Sequence, residues 1–426
     1  MIFSEPFDQR KTTLANGVVV LSETMPHTRA VSLGVFLRTG SRFERAEQNG
    51  LTHFIEHAVF KGTRRRSALQ IAKEADALGG NLNAYTGRES VGFHNEVVDT
   101  DLRKGFELLA DLVLQPAFDE TELDKERNVI LEEIKMTEDT PDDVLFDIFT
   151  ENFYVNHPLG RRILGTSDTL ATFKGARLAD YYQDLFSPAN LVIGAAGHLS
   201  HDEILALAEQ AFGAMPARAA AAPPAAPAPA QHLSARHKAD LEQAHLVLGA
   251  PCPSLVSEEF YATGILASLL GGGYSSRLFQ SVREDLGLAY DVSASASQFQ
   301  DAGYFQLYAA TSPDKLNEAI AAIMEEVKRI KAEPVSAEEL ERTRGKMRTG
   351  LILGLETASA RLSAMVGGEL TERRFIPLAE VVEKVEAVTA EDVRRLANEI
   401  FQTEALAGTV IGNLKGYQLK RAQLEC

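Results

Sequence analysis

Cysteine is scarce: Cys252 and Cys426 are the only two in 426 residues, they form no C-x-x-C pair, and the second is the terminal residue. That excludes a disulfide framework and a thiolate metal cage, and it points to a reducing compartment. Long apolar runs are missing too, so a membrane-spanning role is not expected. The segment Met1–Lys11 carries Glu5 and Asp8 and lacks the apolar stretch of a secretory leader. With a native start there, the expected location is cytoplasmic. Positive charge is in deficit: 43 Lys and Arg stand against 60 Asp and Glu, a formal net charge of -17. Nucleic acid and an anionic membrane surface are therefore unexpected partners, whereas cationic ligands would be favoured if the acidic excess lines a cleft.

The rest of the composition is that of a folded protein, with 45% apolar and 24% charged residues. The length exceeds one usual core. A composition break at Ala217–Gln231, where repeated Ala and Pro offer nothing to bury, predicts a semi-extended linker over 216–234 between halves 1–215 and 235–426. The halves close on similar stretches, Leu191–Leu199 and Ala407–Leu414. Capping signatures open amphipathic helices at Ser200 with Glu203, Ser336 with Glu339 and Thr389 with Asp392. Strand-forming runs such as Gly17–Ser22 and Val31–Leu37 are followed by long helical patterns, without regular βαβ alternation. The expected class is α+β: two homologous domains, each a sheet covered by helices on one face.

Chemistry concentrates in His53-Phe54-Ile55-Glu56-His57. Residues four apart on a helix are neighbours, so both histidines can reach one ion. Glu56 projects beside them, where it could take a proton from an attacking water. The order H-x-x-E-H is the reverse of the usual zincin pattern. A catalytic zinc needs a third protein ligand. Downstream, Asp119 and Glu122 open a helical pattern that stops at Pro141, and on it Glu126 and Glu133 lie seven apart, two turns on one face. Either could meet the metal, with the other bonding a histidine from behind.

The pentapeptide together with Glu126-Arg127-Asn128-Val129-Ile130-Leu131-Glu132-Glu133-Ile134 resembles the pitrilysin/insulinase family of inverted zinc metallopeptidases, in particular its smaller, bacterial members similar to mitochondrial processing peptidase. In that family the third ligand lies 76 positions after the second histidine, as Glu133 does here after His57. The resemblance thus implies His53, His57 and Glu133 as ligands of one Zn2+ per chain, Glu56 as base and Glu126 as the supporting glutamate. It also implies mostly antiparallel sheets in the two domains, and pairing of two such chains into a closed chamber, each domain pair forming half of a clamshell. Other divalent ions can occupy such a ligand set.

Two further segments carry the likeness. Gly79-Gly80-Asn81-Leu82-Asn83-Ala84-Tyr85-Thr86 reads by itself as a glycine turn entering a strand. The family places its Asn-Ala, here Asn83 and Ala84, on an exposed strand edge that pairs with an extended substrate. Gly271–Gln280 opens a helix with no Gly-Lys-Ser/Thr behind it, which argues against a nucleotide site. In the family, the residues matching Arg283 and Tyr290 donate to the substrate carbonyl or developing oxyanion. The expected function is a zinc metalloendopeptidase acting on extended or unfolded peptides. Because one chain holds both the metal motif and the Arg/Tyr pair, a homodimer is expected over a heterodimer. The alternative from another class is a non-catalytic scaffold subunit, a type of relative that commonly lacks ligands this chain retains.

Overall fold

Val19–Thr24 and Ala30–Leu37, marked as strands by their β-branched content, lie either side of one central strand in a six-stranded sheet. The computed structural model describes residues 8–220 and 222–426; Met1 to Phe7, where part of the expectation about the N-terminal segment falls, and Ala221 within the linker lie outside the described residues. The strands of this sheet are β1 (Asp8–Thr13), β2 (Val19–Thr24), β3 (Ala30–Leu37), β4 (Asn83–Thr86), β5 (Val91–Val98) and β6 (Leu191–Gly197), in the order β1-β2-β6-β3-β5-β4. A second sheet holds β7 (Leu233–His237), β8 (Ala244–Pro251), β9 (Ala289–Gln298), β10 (Gly303–Thr311) and β11 (Ala407–Gly412), in the order β7-β11-β8-β10-β9.

The similar stretches at the ends of the two halves become corresponding strands. β6 pairs parallel with β2, and β11 pairs parallel with β7, while the other pairings in both sheets are antiparallel. The capping signatures hold as well: Ser200, Ser336 and Thr389 accept from the backbone N–H of Glu203, Glu339 and Asp392 respectively.

Of the described residues, one compact unit gathers those up to 135, 161–225 and 352–378, and the other 136–160, 226–351 and 379–426. One expectation needs correction: neither sheet is covered on one face only. In the first unit, Val31, Leu33, Val35 and Leu37 of β3 face one core, but Phe36 faces a second, built with Leu362, Met365 and Val366 of the helix Ala358–Thr371. In the second unit, Leu246 and Leu248 of β8 face the main core, whereas Val247 faces Leu145, Phe149 and Phe153 of the helix Pro141–Phe153. Each sheet thus takes its second cover from the opposite half of the sequence.

Glycines make room for these two helices. A Cβ on Gly194 in β6 would stand 2.6 Å from Leu362 Cδ1, and one on Gly249 in β8 would overlap the Phe149 ring. Buried ion pairs fix the first helix: Glu369 meets Lys11 at 2.6 Å and Arg38 at 2.5 Å, and Arg361 meets Glu23 at 3.2 Å. Among the described residues, no helix is long and apolar enough to cross a membrane.

Candidate metal centre

The motif forms the helix Leu51–Ala58, in which Leu51, Phe54, Ile55 and Ala58 are buried at helical spacing and His53, Glu56 and His57 take the opposite face. Gly50 starts it with φ 91°, in the left-handed region that favours glycine. The Glu44 carboxylate accepts from the backbone N–H of Gly50 at 2.9 Å and of Thr52 at 2.7 Å, satisfying donors that open a helix unpaired. Burial pushes the Glu44 carboxyl up to about 7, against the pull of those bonds.

The third expected ligand comes from the helix Glu120–Asp139, seated by buried Leu123, Ile130 and Ile134, with Glu126 also buried. Asp119 accepts from Thr121 and Glu122 N–H, as its capping position requires. His53, His57 and Glu133 offer ligand atoms that all lie within 4.8 Å of one another. A tetrahedral zinc with ligands at about 2.0–2.2 Å keeps its donor atoms roughly 3.4 Å apart. Glu133 Oε2 is 3.9 Å from His53 Nε2 and 3.6 Å from His57 Nε2, close to that spacing. The donor set therefore fits zinc.

Glu126 sits behind His57. Its Oε1 accepts from His57 Nδ1 at 2.8 Å, which leaves Nε2 of that ring as the lone-pair atom facing Glu133. Its Oε2 meets Lys61 Nζ at 2.6 Å. Burial alone would raise the Glu126 carboxyl, but His57 and Lys61 outweigh it and hold the group below its ordinary value. His53 is driven down to about 4 by burial and by its neighbour His57, so the ring is neutral and available as a ligand. His57 shows the opposite balance: burial lowers it, yet Glu126, Glu133 and Glu56 together lift it above the usual imidazole value. Burial also raises Glu56, partly offset by a hydrogen bond that Thr86 Oγ1 donates to its Oε2 at 2.5 Å.

Asn83 and Ala84 lie on β4, which pairs with β5 on one side and is the edge of its sheet on the other. Arg283 and Tyr290 belong to the other unit. The glycine run leads into a wider π-type turn over Phe279–Asp285 that carries Arg283, and Tyr290, the second residue of β9, has 73% of its surface exposed. The Arg283 guanidinium lies 5.1 Å from the centre of the Tyr290 ring and 4.7 Å from that of Phe279, so the two residues do form a pair. Sequence reasoning missed Glu44, Lys61 and Thr86. Each acts across a turn or between elements, and no periodicity encodes such contacts.

Family models match most of the chain: Insulinase (Peptidase family M16) over residues 19–167 and Peptidase M16 inactive domain over residues 172–347. An uncharacterized zinc protease of Bacillus subtilis is 38% identical over 392 residues, 92% of this chain and 95% of its own length. The chain belongs to peptidase family M16. Further M16 relatives include uncharacterized zinc proteases of Streptomyces coelicolor, 36% identical over 97% of this chain and 91% of the relative, and of Rickettsia bellii, 36% identical over 95% and 98%. The crystal structure of a protease from Helicobacter pylori shares the M16 chain's fold, with a TM-score of 0.87 at 23% identity, covering 95% of this chain and 99% of the other. His53, Glu56, His57, Glu126 and Glu133 fall within the first matched segment, and Arg283 and Tyr290 within the segment described as inactive.

Proposed function

We propose that this M16 chain is a zinc-dependent metalloendopeptidase that cleaves extended or unfolded peptides, with one zinc held by His53, His57 and Glu133. The observation that carries the reading is the convergence of those three donors within 4.8 Å beside a partly buried glutamate. A zinc ion bound there would supply Lewis acidity, polarising a peptide carbonyl and making water more acidic. Glu56 takes a proton from the attacking water and returns it to the leaving amine, a double role suited to a carboxyl whose pKa burial has raised. Glu126 fixes the His57 tautomer, and Lys61 keeps Glu126 ionised.

On the β4 edge, Asn83 and Ala84 pair with the substrate backbone, which selects extended chains over folded ones. Arg283 and Tyr290 are assigned as donors to the carbonyl oxygen on the family resemblance. Assembly as a homodimer and a preference for basic peptides complete the proposal. The net charge of -17 supports the second.

Metal analysis of the gently purified chain, paired with digestion of an unstructured peptide, tests the function. One zinc per chain and chelator-sensitive cleavage are expected. A metal-free chain, inert even after zinc is added, would sink the reading.

A further inference from the structure

Thr86 is the last residue of β4. Strand alternation puts it on the same face as Ala84, which packs against the main core of its unit, while Asn83 and Tyr85 take the other face and are exposed. Its hydroxyl donates to Glu56 Oε2 at 2.5 Å, across 30 positions of sequence. Among the described residues no other side-chain hydrogen bond reaches this carboxylate. A free glutamate samples many rotamers, and one charge-assisted bond restrains it before substrate arrives.

The residues after β4 are themselves anchored. Gly87 N–H closes a turn on Ser90 C=O at 2.8 Å, Ser41 N–H reaches Gly87 C=O at 3.1 Å, and Arg42 N–H reaches Arg88 C=O at 2.8 Å. A Cβ on Gly40 would overlap Gly87 C=O, so the two backbones meet as closely as glycine permits. The buried Arg42 pairs with Glu89 at 2.6 Å in the same turn. Thr86 therefore projects from a fixed point.

We infer that Thr86 is a positioning residue: its hydroxyl ties the Glu56 carboxylate to the edge strand, so the strand that takes the substrate backbone also sets the base. This rests on the peptidase reading above. A bystander threonine would matter only for stability. A positioning residue should matter for turnover in the folded, metal-loaded chain.

The test compares Thr86→Val, which keeps the β-branched shape, with Thr86→Ser, which keeps the hydroxyl. Both are zinc-loaded full-length proteins acting on an unstructured peptide, with wild type and Glu56→Gln as limits. Thr86→Val should lower kcat by roughly tenfold to a hundredfold with KM within about twofold, and Thr86→Ser should recover most of the loss. Zinc content should be equal in all four proteins. In the Glu56→Gln background, adding Thr86→Val should leave peptide affinity unchanged, and the crystal structure of metal-free Thr86→Val should show the Glu56 carboxylate displaced. Thr86→Val turning over like wild type, or a loss that Thr86→Ser does not recover, overturns the inference. A wild type no more active than Glu56→Gln would instead overturn the peptidase reading.

Discussion

Glu126 accepts from His57 Nδ1 at 2.8 Å while its other oxygen meets Lys61 at 2.6 Å, so the His57 ring is oriented by a carboxylate on the edge away from Glu133. Glu126→Gln keeps the size but removes the charge that both neighbours use. Zinc affinity should fall by about ten- to a hundredfold, read by competition with a chromophoric chelator. Affinity equal to wild type would mean that the Glu126 charge does not orient His57 for metal binding. Lys61→Met should weaken binding in the same direction by less, because His57 still has its acceptor.

The pH dependence of stability should carry a Glu44 component. Its folded value of about 7 lies above the ordinary 4.5, so the folded state holds this proton more tightly than the unfolded chain. That contribution is fully present below about 4.5 and is lost as pH rises through about 7. Glu44→Gln cannot ionise, so its Tm should start lower, for want of a full cap, yet fall less steeply across that window than wild type. Parallel Tm curves would show that Glu44 stays ionised throughout.

The covering helices should be costly to unpack. Phe149→Ala in the second unit is expected to cost about 3–5 kcal/mol, and Leu362→Ala in the first about 2–5 kcal/mol, since both side chains are buried on the second face of a sheet. Calorimetry of each variant checks this. A loss under about 1 kcal/mol for either would show that its helix is not part of the folded unit.

Glu369 is buried between Lys11 and Arg38, and Glu369→Ala removes the carboxylate that both cations share. The expected loss is on the order of 3–5 kcal/mol, largely from the buried Arg38 side chain, and thermal unfolding measures it. Glu369→Ala combined with Arg38→Met should be less damaging than Glu369→Ala alone, because the uncompensated charge is gone.

The candidate metal centre was legible in the sequence because its possible donors obey helical spacing: His53 and His57 share one face, Glu126 and Glu133 another. Spacing alone left Glu126 and Glu133 interchangeable, and the family resemblance chose between them. In the structure Glu133 lies near both Nε2 atoms and Glu126 on Nδ1 of His57. Capping residues such as Ser200 and Thr389 were equally readable, since their bonds span only three residues.

What stayed hidden was long-range. Nothing local says that Pro141–Phe153 packs on β8 or that Ala358–Thr371 packs on β6, because an amphipathic helix does not name the sheet it covers. The one trace is glycine at Gly194 and Gly249, where a strand would ordinarily carry a larger residue. Thr86 and Glu44 were missed for the same reason: a threonine at a strand end and a glutamate in a loop acquire meaning only from what folds against them.

The most direct measurement is peptide-digest mass spectrometry of wild type against Glu56→Gln, with zinc content determined on both. Wild type should fragment an unstructured peptide at internal bonds, and Glu56→Gln should keep its zinc and leave the peptide intact. Cleavage by Glu56→Gln at the wild-type rate would contradict Glu56 as the base and the mechanism built on it.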